Sequence, residues 1–267
     1  PLLDLKDPSD IALLQPLADA VFALVNGLGG VVSGEHGDGR LRSPYIARQY
    51  PGIVHLFQRT KRLLDPHNLM NPEIKTASTP DQMTRHLRYG ARYRRRDTGP
   101  TLLRWRQGWE TEIERCHGCT KCTTVTTATR MCPIYKFTRH EAAAPKAKAN
   151  VLRALISGQI DAQALYTRAF QDVMDHCVNC GSCHRECPSN VNIPKMALEA
   201  RARYAQRYGV PLGDRAAGHI ERLGRWTHRL APVANTLQAL PLSRQALEKT
   251  LGIAARRPPV AFAARSL

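Results

Sequence analysis

Eight cysteines in two similarly spaced runs constrain this chain more than any other feature of its 267 residues. In each run three cysteines follow one another with two residues between them, and a fourth cysteine stands before a proline. The first run consists of Cys116, Cys119, Cys122 and Cys132, and the second of Cys177, Cys180, Cys183 and Cys187. Thiolates spaced this closely on a tight loop can bind neighbouring metal atoms, so the spacing indicates metal ligation.

The spacing C-x2-C-x2-C with a later C-P, present twice, is typical of two [4Fe–4S] clusters. Three thiolates of one run cap three irons of a cubane, and in two-cluster proteins the fourth iron takes a cysteine from the other run. The predicted ligand sets are therefore crossed. One set is Cys116, Cys119, Cys122 and Cys187, and the other is Cys132, Cys177, Cys180 and Cys183. Gly118 and Gly181 would let the two loops turn tightly.

Two other uses of eight cysteines fit the spacing less well. Four disulfides are typical of small secreted scaffolds, and a chain of 267 residues is not one. Zinc sites usually pair two C-x2–4-C knuckles, which leaves the third cysteine of each run without a role. Basic side chains close in sequence to the cysteines are expected to favour a reduced, anionic cluster. They are His117, Lys121, Arg130, Lys136, Arg139 and Arg185.

The net charge of the chain is +17, from 39 basic and 22 acidic residues. Most of the excess lies in residues 81–106 and 195–267. A basic surface favours nucleic acid, an acidic membrane face, an acidic protein or a carboxylate substrate. The basic segment 81–106 contains only one Trp and two Tyr among its arginines, and no base-reading motif is present, so we expect no nucleic-acid partner. We expect the protein in the cytoplasm or at the inner face of the membrane, where peripheral contact would suit its charge.

The most apolar stretch, residues 11–32, is interrupted by Gln15, Pro16, Asp19 and Asn26, so we expect no bilayer-spanning helix. The chain opens with Pro1, which we interpret as a sign that it belongs to a longer polypeptide.

Apolar residues recur at three- and four-residue spacing around the second cysteine run. This spacing predicts helices over 139–157, 161–175 and 193–208, with Pro145 as a candidate start of the first. Weaker patterns predict helices over 214–230 and 234–251. No alternating pattern follows residue 80, so the cysteine region is predicted to be helical rather than β-rich.

The first eighty residues have a different pattern. A helix is predicted over 9–26 and another over 51–65, and a glycine-rich loop lies between them. Val31 and Val32 before this loop predict a short strand that leads into a site. The loop carries Glu35 and His36, and it matches neither a P-loop nor a dinucleotide-binding fingerprint.

Two motifs in this part carry a family resemblance. They are Ser-Gly-Glu-His-Gly-Asp-Gly-Arg at 33–40 and Asp-Pro-His-Asn-Leu-Met-Asn-Pro at 65–72. They resemble the C-terminal end of the FAD-linked oxidase family with the vanillyl-alcohol-oxidase-type flavin domain. Its members include D-lactate, glycolate and D-2-hydroxyglutarate dehydrogenases. Residues 88–93, 131–133 and 147–153 are similar to the long members in which a flavoprotein and an iron–sulfur module share one chain.

The cysteine region resembles the α-helical ferredoxin module of succinate dehydrogenase-type and glycolate oxidase-type proteins. Together the resemblances imply a mainly α fold with a small α+β part. Residues 1–80 would be the C-terminal part of the oxidase cap domain, and 81–108 a basic linker. Residues 109–210 would be an α-helical ferredoxin domain with two [4Fe–4S] clusters, and 211–267 a basic helical extension.

The resemblance also implies a flavin- and iron–sulfur-dependent 2-hydroxy acid dehydrogenase of the D-2-hydroxyglutarate or D-lactate type. A hydride would pass from substrate C2 to FAD, and electrons would then pass through two clusters to a quinone or a redox protein. The family pattern makes His36 the catalytic base and Glu35 a ligand of zinc or manganese, with Gly34 and Asn71 at the FAD. Most of the FAD site would lie upstream, so we expect this chain alone to be inactive. The alternative is a non-catalytic iron–sulfur electron-transfer subunit that works with a separate flavoprotein.

Overall fold

A computed structural model describes residues 2–227, 230–257 and 260–263 of the chain. The chain divides into two compact units, Pro1–Arg96 and Asp97–Leu267. The division lies inside the segment predicted as a linker, and the other predicted domain boundaries stay predictions. The described residues are mainly helical and contain no strand, which confirms the predicted mainly α class.

The first unit contains helices α1 to α4. They are α1 (Pro8–Gly27), α2 (Gly39–Arg42), α3 (Ile46–Gln49) and α4 (Val54–Leu64). Single 3-10 turns occupy Ser43–Tyr45 and Pro80–Met83. Helix α1 begins at Pro8 because the Asp7 side chain accepts a hydrogen bond from the Ser9 N–H. Helices α1 and α4 agree with the helices predicted over 9–26 and 51–65.

A small apolar core holds the first unit together. It consists of Phe22, Val32, Tyr45 and Met83, and the rings of Phe22 and Tyr45 have centroids 4.4 Å apart. The strand predicted at Val31 and Val32 is not formed, because the described residues offer no neighbouring strand to pair with it. The Val32 N–H instead donates to Gln49 Oε1 at 2.9 Å, and its side chain is buried in loop conformation.

Helix α1 is long and apolar enough to cross a membrane by length and composition alone, in spite of its interrupting polar residues. The expectation of no bilayer-spanning helix stays a prediction. Leu13, Val21 and Leu24 are exposed along it. Core helices and signal sequences satisfy the same two criteria, so this is weak evidence for a membrane span.

The second unit contains helices α5 to α14. They are α5 (Trp109–Glu114), α6 (Pro133–Thr138), α7 (Pro145–Ile156), α8 (Arg168–Asp175), α9 (Ser182–Arg185), α10 (Ile193–Tyr208), α11 (Leu212–Gly218), α12 (Ile220–Thr227), α13 (Ala231–Ala239) and α14 (Pro241–Leu251). Further 3-10 turns occupy Lys121–Thr123, Glu141–Ala143 and Ala162–Tyr166.

Most predicted helices of this unit are present with shorter bounds. Helix α7 begins at Pro145, as the proline indicated, and α10 agrees with the prediction and ends before Gly209, whose φ is 85°. The helix predicted over 161–175 is divided, because the Thr167 side chain accepts from the Phe170 N–H and starts α8 there. The segments predicted over 214–230 and 234–251 each form two helices, and residues 228 and 229 of the first lie outside the described residues.

Helices α5, α7, α8 and α10 enclose the main core. Trp109, Leu152, Met174 and Met196 are fully buried in it. Four cysteines pack against this core as well: Cys116, Cys122, Cys177 and Cys187. The core therefore fixes the backbone from which both cysteine runs extend.

A buried ion pair attaches the start of the second unit to α10. Arg203 Nε lies 2.8 Å from Glu199 Oε1, and the guanidinium lies over the Trp109 ring at 4.1 Å from its centroid. Glu199 also accepts hydrogen bonds from the N–H groups of Leu102 and Leu103, each at 2.9 Å, and from Trp105 Nε1 at 3.3 Å. Burial alone would raise the pKa of Glu199, but these hydrogen bonds, that of Arg203 first among them, outweigh it and lower the pKa below 4.5.

The Glu199→Gln substitution should lower the free energy of unfolding by about 3–5 kcal/mol, because it leaves the buried Arg203 charge without its partner. Urea unfolding of the purified chain measures this loss. The matched control is Glu221→Gln, which removes an exposed pair with Arg225 at the same four-residue spacing and should change stability little.

The wild-type contribution should depend on pH. Because the folded-state pKa of Glu199 is below 4.5, the stabilisation is present above pH 4.5 and is lost as the pH falls through the folded-state pKa. An equal loss of stability in the Glu199 and Glu221 variants would contradict the assignment of the buried pair as the stabilising contact.

Candidate functional site

The second unit contains a cavity whose wall carries four cysteines of the first predicted ligand set. These four are Cys116, Cys119, Cys122 and Cys187. Cys183, which belongs to the second predicted set, also lines this cavity. Three of the four come from the first run and one from the second. Apolar side chains complete the wall: Met131, Pro145, Val191 and Ile193.

The second cavity is lined by Cys132, Cys177, Cys180 and Cys183, the other predicted set. Here three cysteines come from the second run and Cys132 comes from the first. The structure thus brings together the same two crossed sets that the spacing predicts. Their role as iron ligands remains a prediction.

The two cysteine loops have the same backbone conformation. In the first loop, Gly118 and Thr120 have φ values of 75° and 62°, and they flank the middle cysteine of that run. In the second loop, Asn179 and Gly181 have φ values of 56° and 77° around the corresponding cysteine. Left-handed residues at such positions are typical of loops that can gather backbone N–H groups around an anion. The cysteine sets and these loops therefore fit thiolate-bound clusters.

The helices position the remaining cysteines. Cys132 is the N-cap of α6, and the proline after it occupies the first helical position, where a missing N–H costs nothing. Cys177 follows the end of α8, and Cys183 lies in the first turn of α9. The C-P dipeptide of the first run is therefore a helix start that turns the thiol of Cys132 toward the second cavity.

Two of the cysteine thiols, Cys122 and Cys183, have raised pKa values. Burial raises the pKa of Cys183 to about 12, and the charges of Cys177 and Cys132 add to the shift. Burial likewise raises the pKa of Cys122 to about 11, while the backbone amide of Lys146 acts in the opposite direction as a hydrogen-bond donor. The cysteines that raise the pKa of Cys122 and Cys183 belong mostly to the same predicted set as the thiol that they affect.

Two lysines of α7 were not identified from the sequence. Lys146 lines the first cavity, and Lys148 lines the second and is 1% exposed. Burial lowers the pKa of Lys148, whereas the thiolates of Cys177, Cys132 and Cys183 raise it. The available signal was the position of Lys148 on the apolar face of the predicted helix, four residues before Leu152.

The six basic residues expected near the cysteines line neither cavity in the described part of the chain. The Lys136 Nζ, for example, donates to the Thr126 carbonyl at 2.8 Å. Among the described residues, no group of three or more His, Cys, Asp and Glu side chains is placed to hold a single metal ion.

The first unit contains an open cleft of about 420 Å³ beside the loop that carries Glu35 and His36. Gly34 and Glu35 line it, and His36 Nε2 lies 2.9 Å from Glu35 Oε1. Both side chains are about four-fifths exposed, at 79% for His36 and 82% for Glu35. The loop backbone is held because Arg42 Nη1 and Ser33 Oγ each donate to the Gly37 carbonyl at 2.8 Å.

The wall of this cleft is partly apolar and partly polar. Its other lining residues are Ser33, Gly37, Asp38, Ile46, Gln49, Tyr50, Phe57 and Lys75. Asp38 is paired with Lys75 at 2.5 Å. Asn71 does not line the cleft; it is exposed, with a φ of 45°. Its predicted contact with FAD therefore stays a prediction without support from this cleft.

The motif around Asn71 has a structural explanation in this chain. The Asp65 carboxylate accepts hydrogen bonds from the N–H groups of Leu69 and Met70, each at 2.9 Å, and also pairs with Lys61. These contacts, that of Lys61 first, lower the pKa of Asp65. The aspartate thus fixes the turn that follows α4.

Two family matches agree with the division of the chain. Residues 1–74 match the family described as FAD linked oxidases, C-terminal domain, and residues 112–191 match the 4Fe-4S dicluster domain. The second match contains all eight cysteines. No solved structure matches the chain.

Curated relatives are similar to one or both parts of the chain. A D-2-hydroxyglutarate dehydrogenase of Pseudomonas putida is 31% identical over 83% of this chain and 25% of its own length. The D-2-hydroxyglutarate dehydrogenase of Escherichia coli is 25% identical over 95% of this chain and 28% of its length. A D-lactate dehydrogenase of Archaeoglobus fulgidus is 38% identical over 20% of this chain and 12% of its length.

The chain thus spans about a quarter of the length of the D-2-hydroxyglutarate dehydrogenases that it matches. It is similar to them through both of its units, in which the cleft and the cysteine cavities lie. Residues 1–74 are similar to the C-terminal domain of FAD linked oxidases, and residues 112–191 are similar to the 4Fe-4S dicluster domain.

Proposed function

We propose that this chain is part of a flavin- and iron–sulfur-dependent dehydrogenase that oxidises a 2-hydroxy acid of the D-2-hydroxyglutarate or D-lactate type. The observation that carries the proposal is the pair of crossed cysteine cavities in the same chain as a FAD linked oxidase domain. The named dehydrogenases are similar to this chain over both parts, which supports the same combination of cofactors here.

In this proposal each cavity holds one [4Fe–4S] cluster. Cys116, Cys119, Cys122 and Cys187 bind the first, and Cys132, Cys177, Cys180 and Cys183 bind the second. Each predicted set contains four thiols, one for each iron of a cubane, and Cys183, which lines both cavities, is assigned to the second set; this supports a count of two clusters.

The cleft of the first unit would supply the substrate side of the reaction. When bound, FAD would supply the hydride acceptor for substrate C2, and clusters held by the cysteines of the two cavities would supply one-electron carriers. His36 accepts the hydroxyl proton at Nδ1, because in a neutral imidazole only one ring nitrogen can act as a base. Its Nε2 lies 2.9 Å from Glu35 Oε1 and donates to that carboxylate, which leaves Nδ1 as the base nitrogen.

Glu35 is proposed as one ligand of a divalent metal, zinc or manganese. Of the two carboxylates that line the cleft in the described residues, Asp38 is paired with Lys75, whereas Glu35 contacts only the His36 ring. A metal site therefore needs further ligands from the rest of a longer enzyme, and we derive no step through a metal held by this chain alone. Gly34 and Asn71 stay candidates for FAD contact.

The electron acceptor is proposed to be a quinone or a redox protein reached at the inner face of the membrane. Exposed apolar and basic residues of the C-terminal helices support peripheral contact with an anionic surface. Trp226 and Leu242 are 79% and 80% exposed, and Arg222 and Arg225 lie in the same helix as Trp226.

The alternative function is a non-catalytic iron–sulfur subunit that works with a separate flavoprotein. The packing of residues 97–267 as a unit with both cavities supports it. Flavin content decides between the two: the dehydrogenase proposal expects FAD to copurify with a complete polypeptide that contains this chain, and the subunit proposal expects none.

Anaerobic reconstitution of the chain should yield about eight irons and eight labile sulfides per molecule, as two cubanes require. The Cys132→Ser substitution should damage the cluster of the second cavity, although Cys132 belongs to the first run. Iron and sulfide assays with electron paramagnetic resonance measure both results.

The matched variant is Cys187→Ser, which should damage the cluster of the first cavity instead. Stoichiometric zinc without sulfide would rule out the cluster proposal. Damage by each substitution to the cluster of its own run would refute the crossed ligand sets.

In the complete enzyme, the His36→Ala substitution should lower kcat by about 10²–10⁴, because the hydroxyl proton loses its acceptor in the transition state. Flavin, clusters and stability should stay unchanged, since the exposed contact with Glu35 contributes little to folding. Steady-state kinetics with D-2-hydroxyglutarate and D-lactate measure the effect. His55→Ala, an exposed histidine outside the cleft, is the control.

The Glu35→Gln substitution should have a different effect, with loss of both divalent metal and activity. Elemental analysis of the purified enzyme separates the two variants. Full activity of the His36 variant would exclude the proposed base, and unchanged metal content in the Glu35 variant would exclude the proposed ligand.

A further inference from the structure

Helix α7 begins between the two cysteine cavities. Pro145 at its first position lines both of them, Lys146 lines the first and Lys148 the second. The N-terminus of a helix carries a partial positive charge, which favours anions. Each cavity also has one lysine in its wall. The net positive charge at a cavity depends on whether a carboxylate offsets the charge of its lysine.

Lys148 is an almost fully buried charge with neutral partners. Its Nζ donates to the carbonyl oxygens of Ala142 and Ala143 at 3.0 and 3.1 Å, and among the described residues it forms no ion pair. The Ala143 carbonyl also lies 3.9 Å from Cys132 Sγ, so the ammonium and this thiol share one oxygen. A buried lysine is costly unless an opposite charge is near, and the cysteine-lined cavity is where such a charge would lie.

Lys146 differs in its partner. Its Nζ lies 2.7 Å from Glu141 Oε1, so a carboxylate offsets its charge. Its side chain is also 21% exposed, which lets water screen it. The two lysines, two residues apart on one helix, therefore place unequal net charges at the two cavities.

We propose that this arrangement makes the clusters unequal and gives the cluster of the second cavity the higher reduction potential, with Lys148 as the positioning residue that sets it. The inference rests on the proposed clusters. A one-electron reduction adds one negative charge to the cluster, and no bond or proton is exchanged with Lys148. A fixed positive charge nearby stabilises the reduced form more than the oxidised form, and net charge is a known determinant of cluster potential. When the pair of clusters holds one electron, that electron therefore resides mainly on the cluster of the second cavity.

The test is a redox titration of the anaerobically reconstituted chain, followed by electron paramagnetic resonance. Lys148→Gln removes the charge but keeps a donor for the Ala142 and Ala143 carbonyls. It should shift the midpoint potential of one cluster signal to lower values and leave the other in place. Cys180→Ser, which alters a thiol of the second cavity alone, identifies the signal that should move.

Three further variants separate charge from structure. Lys148→Arg keeps the charge and should leave the potential near that of the unsubstituted chain. Lys146→Gln should have a smaller effect, because Glu141 already offsets that lysine. Glu141→Gln leaves Lys148 intact, frees the charge of Lys146 and should raise the potential of the first-cavity cluster.

The outcomes distinguish this inference from the proposed function. Absence of iron and sulfide in the unsubstituted chain would refute the clusters themselves. Bound clusters whose potentials do not respond to Lys148→Gln would refute the role of Lys148 alone. If the Lys148→Gln variant fails to assemble a cluster, the titration of the Glu141→Gln variant tests the inference. A first-cavity potential that stays unchanged in the Glu141→Gln variant would overturn it.

Discussion

Each cysteine-lined cavity of the second unit is complete only when two separate segments of the chain meet. Cys187 of the second run lines the first cavity, and Cys132 of the first run lines the second. Neither cavity can therefore gain its full set of thiols unless the segments that form the other are also in place. Helix α7 begins between the two cavities, since Pro145 lines both of them. The helices around the cavities serve to hold this crossing in a fixed geometry.

The core and the buried ion pair supply that rigidity. Trp109 packs between the apolar core and the Arg203 guanidinium, while Glu199 binds the backbone of Leu102 and Leu103. The segment before α5 is thereby attached to α10, which follows the second cysteine run. A buried carboxylate is stable only with all its donors present, so this contact ties both ends of the cysteine region to one cooperative structure.

The first unit places its candidate residues differently. Glu35 and His36 are exposed on a loop whose backbone is fixed by Ser33 and Arg42, and the cleft beside them is open. A fixed backbone with exposed side chains suits a site whose remaining walls come from elsewhere. In the proposed enzyme, these walls would belong to the part of the longer relatives that this chain does not span.

The sequence by itself determined the mainly helical class, the start of α7 at Pro145, the full span of α10 and the grouping of the cysteines into two runs. These features depend on local signals, namely periodicity, caps and short spacing, which act over a few residues. The crossing of the two runs is not local, because tertiary packing brings Cys187 to the first cavity and Cys132 to the second. The tertiary structure decided the features that depend on distant neighbours. Val32 forms no strand because the described residues provide no partner for it, and its N–H binds the Gln49 side chain instead. By residue type nothing distinguishes three charged residues from exposed ones on helices: Lys148, Glu199 and Arg203. The structure shows that all three are buried. Burial of a charge depends on partners from other segments, which a local pattern does not indicate.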